Sequence, residues 1–195
     1  MLRERATFAA SVVVVLSGCP HDPAAEICPP VAAGELVITE LRGEQTGGDT
    51  WGQWVELHSP GGAVSLEGAV LDLRSLDGAT SMRLLVREPI EIPGGGYLVL
   101  GQTDGDHVDL ALGADFADDM PNAGVATLRA CGETIDEVRW DSMPTMGSRS
   151  LGETPPTAAG NDDDAAWCTD DAPSDDTTML GLPGTPGAAN RPCGT

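Results

Sequence analysis

The chain has 195 residues, 31 of them acidic and 10 basic, for a formal net charge of −21. All ten basic residues are arginines scattered singly, so the clusters that displace counterions from a phosphate backbone are missing and nucleic acid is not an expected partner. With 25 glycines, 15 prolines and few aromatics, the composition argues against a helical bundle. It favours short strands joined by turns around a core of Val, Leu, Ile and Ala.

Arg3 and Arg5 precede an apolar run from Ala6 to Leu16, which is too short to span a membrane and suits the h-region of a signal peptide. The run closes on Leu16-Ser17-Gly18-Cys19, the pattern of a bacterial lipobox: an apolar residue, two small residues, then the cysteine that is lipidated and becomes the new N-terminus. Residues 1–18 are therefore read as a cleaved signal and Cys19 as the lipidation site. Acyl chains contributing about 0.8 kcal/mol per buried CH₂ would hold the protein on a membrane. The expected location is the cell envelope of a bacterium, on the outer membrane in preference to the inner one. Cleavage removes Arg3, Glu4 and Arg5, which takes the net charge from −21 to −22.

Residues 19–34 are rich in proline and alanine without periodicity and read as a tether; they carry His21, Asp22 and Glu26. From there strand-like segments recur at short intervals: Leu36–Leu41, Gln53–His58, Val64–Leu73, Met82–Val86, Ile90–Ile92, Tyr97–Leu100, Val108–Leu112, Val125–Cys131, Ile135–Trp140 and Arg149–Leu151. Some alternate, as in Ile90-Glu91-Ile92, while Tyr97-Leu98-Val99-Leu100 is apolar throughout. Two packed sheets, with inner strands buried and edges half-wet, produce that mixture. Gly- and Pro-rich turns separate the segments, and Asp77-Gly78 is the strongest hairpin signal, read as a type I′ turn. After Leu151 the composition changes to Thr, Pro, Ala, Asp and Gly. This extension, residues 153–195, is expected to be an irregular coil pinned to the surface of a sandwich spanning 35–152.

With Cys19 assigned to lipid, Cys28, Cys131, Cys168 and Cys193 form an even set suited to disulfides in an oxidising compartment. Three pairings are possible. Short spacing favours Cys168–Cys193, leaving Cys28–Cys131. No two cysteines have the close spacing of a zinc knuckle.

Read together, Leu36-Val37-Ile38-Thr39-Glu40-Leu41, Gln53-Trp54-Val55-Glu56-Leu57, Leu66-Glu67-Gly68, Ile92-Pro93-Gly94-Gly95-Gly96-Tyr97-Leu98-Val99-Leu100, Ile135-Asp136-Glu137-Val138 and Ser148-Arg149-Ser150-Leu151 resemble the successive strands of a lamin tail domain. The likeness covers about residues 34 to 152. Ala69 stands where that family often has Trp. Trp167-Cys168, Gly184-Thr185-Pro186-Gly187-Ala188-Ala189-Asn190 and Cys193 resemble the C-terminal extension of such domains in bacterial surface lipoproteins. The resemblance implies an all-β, immunoglobulin-like sandwich that binds or supports other molecules without catalysis; fold alone does not settle function.

Individual residues add little chemistry. Trp54 is expected in the core, and Glu56, between Val55 and Leu57, is expected to face solvent. Asp162, Asp163 and Asp164, with Asp170-Asp171 and Asp175-Asp176 nearby, supply oxygen ligands suited to calcium but lack EF-hand spacing, and read first as a solvated charge cluster. Asp104, Asp106, Asp109, Asp115, Asp118 and Asp119 form a looser stretch of the same kind. Outside the tether His58 and His107 are the only ordinary bases, and neither sits in a nucleophile, zinc-protease, P-loop or dinucleotide motif. The expected function is a non-catalytic, lipid-anchored module that binds an envelope protein or glycan or plays a structural part, with no cofactor. The alternatives are a calcium-dependent adhesion module using the aspartates, or an accessory domain to a separate exported hydrolase.

Overall fold

The computed structural model describes residues 27–47, 51–116, 118–174, 179 and 181–194. Cys19, the signal segment, the first half of the expected tether and Asp175-Asp176 lie outside the described residues.

The described chain is an all-β sandwich. Its strands are β1 (Val37–Arg42), β2 (Trp54–His58), β3 (Val64–Ser65), β4 (Val70–Ser75), β5 (Ser81–Leu85), β6 (Glu91–Ile92), β7 (Tyr97–Gly101), β8 (Leu110–Ala111), β9 (Gly124–Ala130), β10 (Glu133–Trp140), β11 (Ser148–Leu151) and β12 (Trp167–Asp170). One sheet has six strands in the order β12-β11-β1-β2-β7-β8, the other four in the order β10-β9-β4-β5, and β3 pairs with β6 as a small ribbon. Every described pairing is antiparallel except β7 with β8. Helix is limited, among the described residues, to α1 (Ala158–Asn161) and two 3-10 turns.

The period-2 pattern decides which side chains meet between the sheets. Leu41, Val55, Leu57, Leu98 and Leu100 of the larger sheet close on Leu71, Leu73, Leu84, Ala126, Leu128 and Val138 of the smaller one. Each is at most 2% exposed, which at roughly 1.5–3 kcal/mol per buried aliphatic side chain makes this layer the main source of stability. Trp54 is buried as expected.

Three expectations are corrected. The segment expected as one strand over Val64–Leu73 is two, because a turn closed by Ala69 N–H donating to the Leu66 carbonyl (2.8 Å) moves the chain from the ribbon to the smaller sheet. The β4–β5 hairpin forms where Asp77-Gly78 foretold it, but only Gly78 has positive φ, so the turn is not type I′. Asp77 instead accepts from Ser75 Oγ (2.6 Å) and Ala79 N (2.9 Å), holding a wider loop. The C-terminal extension is not wholly irregular. Its residues 167–170 are β12, which pairs with β11 and forms one edge of the larger sheet.

The described part of the expected tether is also fastened down. Cys28 is bonded to Cys131, Pro29 is buried, Val31 packs on the core and Gly34 N–H donates to the Ile135 carbonyl (2.9 Å).

Candidate functional site

The larger sheet turns one face to the core. The opposite face bears a row of polar side chains set by register: Ser150 of β11 lies opposite Glu40 of β1, and Glu40 opposite Glu56 of β2. A register shift between Ile38 and Glu40 adds Thr39 to the row. Such a face would ordinarily be wet. Here both Glu40 and Glu56 are fully buried, because residues 182–191 are laid across them as a strap.

The strap is held by fixed partners. Gly187 N–H donates to Glu56 Oε2 (2.7 Å), and Thr185 N–H donates to both Glu40 oxygens (3.3 Å each). Asn190 Nδ2 donates to the Thr39 carbonyl (2.7 Å) while its Oδ1 accepts from Thr185 Oγ1 (2.7 Å). From below, Thr39 Oγ1 donates to Glu56 (2.7 Å), and Ser150 Oγ (2.8 Å) and Ser148 Oγ donate to Glu40. At the far end Arg191 Nη1 grips both oxygens of buried Asp170 (2.9 and 2.8 Å), and Cys193 is bonded to Cys168. Gly184 passes so close to Glu40 and Ser148 that no side chain fits between them.

Burial is the main cause that pushes the Glu40 carboxyl up to about 7 against the hydrogen bonds from Ser148, Ser150 and the Thr185 N–H that lower it, and Asp170 adds to the rise. Glu56 is raised well above the ordinary carboxylate range, first by burial and then by the charge of Glu40. Two carboxyls in adjacent strands, out of water, cannot both ionise freely, so the pair holds a proton into the neutral range. Sequence reasoning sent Glu56 to solvent and passed over Glu40. The alternation was read correctly, but the strap that covers the alternating polar face comes from residues far along the chain.

A second buried knot joins the sheets. Asp136 Oδ2 on β10 accepts from Ile38 N (2.7 Å) and from Asn161 Nδ2 (2.7 Å), Asn161 Nδ2 also donates to the Ile38 carbonyl (3.0 Å), and Trp167 Nε1 donates to the Asn161 carbonyl (2.8 Å). Burial lifts Asp136 to about 6.

Beside the strap an open cavity of about 330 Å³ is lined by Asp106, His107, Asp109, Pro186, Ala188 and Arg191, among others. Of the two histidines, His107 lines this cavity with its Nε2 engaged with the Trp51 carbonyl (2.8 Å), while His58 lies elsewhere with its Nδ1 engaged with the Gly96 carbonyl (2.9 Å). His58 also stacks on Tyr97, and burial lowers its basicity.

The acidic runs split up. Asp162, Asp163 and Asp164 are exposed; Asp163 caps a 3-10 turn by accepting from Ala165 N (3.0 Å), and Asp164 pairs with Arg149 (2.5 Å). Asp109 accepts from Val99 N (2.8 Å), and Asp119 from Gln53 Nε2 (2.7 Å). Asp170, expected with the solvated cluster, is instead buried against Arg191. Among the described residues no group of three or more His, Cys, Asp or Glu side chains is placed to hold a metal ion. All four cysteines expected in disulfides are paired, as Cys28–Cys131 and Cys168–Cys193.

These features define a disulfide-stapled β-sandwich whose larger sheet is closed on both faces. No protein-family model matches the chain, and no curated protein matches it.

Proposed function

We propose that the protein is a lipid-anchored, extracytoplasmic sandwich of the lamin tail type, a non-catalytic module that binds an envelope protein or glycan or serves a structural role. The cysteine count carries the reading. Four of the five cysteines are spent on each other in two disulfides, which belong in an oxidising compartment, and the one left over is the cysteine of the lipobox. The order of the strands supports the family: the segments that resemble lamin tail motifs fall on β1, β2, β7, β10 and β11. Cys19 then fixes the module to the membrane, and the sandwich presents loops and sheet faces to its neighbours.

The test is to express the chain in a bacterial host fed an alkyne fatty acid. Labelling that sediments with the envelope and disappears in C19A is the expected result; an unlabelled, soluble product overturns the anchor. Binding is then sought with a photoreactive residue in the loop at Gly61, since a chain without lysine offers amine crosslinkers no side chain. A saturable envelope partner is expected, and none from intact envelopes leaves only the structural role.

A further inference from the structure

The outer face of the four-stranded sheet differs from the rest of this acidic protein. The register sets Asp72 beside Arg83 and Thr127, Arg74 beside Ser81 and Val125, Val70 beside Arg129, and Arg139 beside Val125. Their sequence neighbours Leu71, Leu73, Met82, Leu84, Ala126, Leu128 and Val138 fill the core, so Arg74, Arg83, Arg129 and Arg139 share the outward side. A chain with 10 arginines and 31 acids thus places four arginines on one sheet face against Asp72, Glu137 and, at its edge, Asp141. Arg129 pairs with Asp72 (3.3 Å) and Arg139 with exposed Asp141 (3.3 Å). Arg74 and Arg83 are exposed, and their guanidinium groups have no partner among the described residues.

Where the chain leaves this face matters equally. Cys28 is tied to Cys131 at the tip of the β9–β10 hairpin, and the Ile27 carbonyl lies against Gly68, just before β4. Both points are at the Arg129 end of the sheet. The nine residues from Cys19 to Cys28 can reach at most about 30 Å even fully extended. From Arg129 to the row of Arg74 and Arg139 is four residues along a strand, about 13 Å. All four arginines therefore lie within the reach of an anchor at Cys19.

We infer that this arginine face docks the anchored domain on anionic lipid headgroups of the membrane that holds it. The inference rests on the lipid-anchor reading. The larger sheet, with its acidic loops, sits a sheet spacing of about 10 Å behind, more than one Debye length of roughly 8 Å at physiological salt, so its repulsion reaches the membrane weakened while the arginines act at contact. Arginine suits the role, since its weakly hydrated fork pairs with phosphate oxygens in two-point contact.

The test uses the chain from Pro20 onward, without lipid, which keeps every described element. Its partition is measured on vesicles of pure phosphatidylcholine and on vesicles doped with phosphatidylglycerol. Binding to the doped vesicles alone, weakened by salt and cut about tenfold or more in R74Q/R83Q, is expected, as each arginine near an anionic surface contributes several-fold. Equal binding to both vesicles, no binding, or binding that survives R74Q/R83Q overturns it. An unchanged urea midpoint in R74Q/R83Q keeps misfolding from imitating the result. Fatty-acid labelling at Cys19 reports separately on the anchor, so a labelled protein whose face does not bind and an unlabelled one whose face does are told apart.

Discussion

The two sheets of this sandwich treat their outer faces in opposite ways. The smaller sheet leaves its polar face open, as alternation along β5 and β10 would suggest, and water solvates Arg74, Arg83 and Glu137 there. The larger sheet carries a similar polar row but folds the C-terminal strap over it, so two carboxylates that would be ordinary surface groups become buried acids that keep a proton. A buried carboxylate is tolerated only with its hydrogen bonds made, and Thr39, Ser148, Ser150, Thr185 and Gly187 make them. The same pattern in the sequence thus gives an exposed face or a sealed one, depending on a segment up to 151 residues away.

The comparison breaks first at Gly184. Its φ of +99° lies where L side chains are strained, and a Cβ would collide with Glu40 and sit 2.7 Å from Ser148 Oγ. Strain and overpacking each cost on the order of 1–3 kcal/mol, so G184A should lose about 4 kcal/mol in urea unfolding. A loss below about 1 kcal/mol, the range of ordinary surface changes, would show that the strap is not pressed on the sheet.

The next test is pH. Glu40 faces Ser148 and Ser150 from β11, Glu56 from β2 and Thr185 from the strap; Glu56 faces Thr39 and Gly187, with Asp109 and Tyr97 near; Asp170, held by Arg191, stands beyond. Because the folded carboxyl at about 7 is above the ordinary 4.5, the stabilisation it gives is complete below 4.5 and is lost as pH rises through 7. The loss attributable to Glu40 is about 3 kcal/mol, with Glu56 and Asp136, raised to about 6, acting in the same direction. The urea midpoint should therefore fall between pH 5 and about 8 (a range set by these shifted groups), and E56Q should flatten the fall. A midpoint that rises over that range would contradict the sealed pair.

How much of this was legible follows from distance along the chain. Core positions such as Leu57, Leu71 and Leu84 and all ten strand segments stood out because strand period and turn residues are local signals. The split at Leu66-Glu67-Gly68 was missed because Val64 and Val70 share an apolar pattern while belonging to different sheets. β12 was missed because Trp167-Cys168-Thr169-Asp170 is short and set in polar coil, and only pairing with β11 makes it a strand. Glu40 and Glu56 were invisible as a site because their burial comes from Gly184 to Asn190, a stretch whose glycines and proline read as coil. The two cysteines were a partial clue, since Cys193 bonded to Cys168 returns the end of the extension to the edge of the larger sheet without saying which face the chain crosses on the way.

A smaller effect separates the strap's anchor from its cover. Arg191 lies 27% exposed over Asp170, which is 7% exposed, and the two make charge-assisted hydrogen bonds. R191Q leaves that carboxylate buried without its cation, a loss of about 1.5 kcal/mol after allowance for the exposed guanidinium. D170N/R191Q should recover part of it, since a neutral amide costs less to bury than an unpaired charge. If the double variant is no more stable than R191Q alone, Arg191 acts by packing rather than by charge.

The open face should barely respond. Arg74 and Arg83 make no ion pair among the described residues, and glutamine keeps much of the aliphatic stem, which at Arg74 stands beside Val125. R74Q/R83Q should shift unfolding by no more than about 0.5 kcal/mol. Relieving the acidic surface of two cations raises the net negative charge, which would spread any small loss over the whole molecule and make it vanish in salt. A loss of 2 kcal/mol or more, the range of buried polar groups, would mean the guanidinium groups are built into the fold. The face would then be as closed as its counterpart on the larger sheet, and the contrast between the two would be one of charge alone.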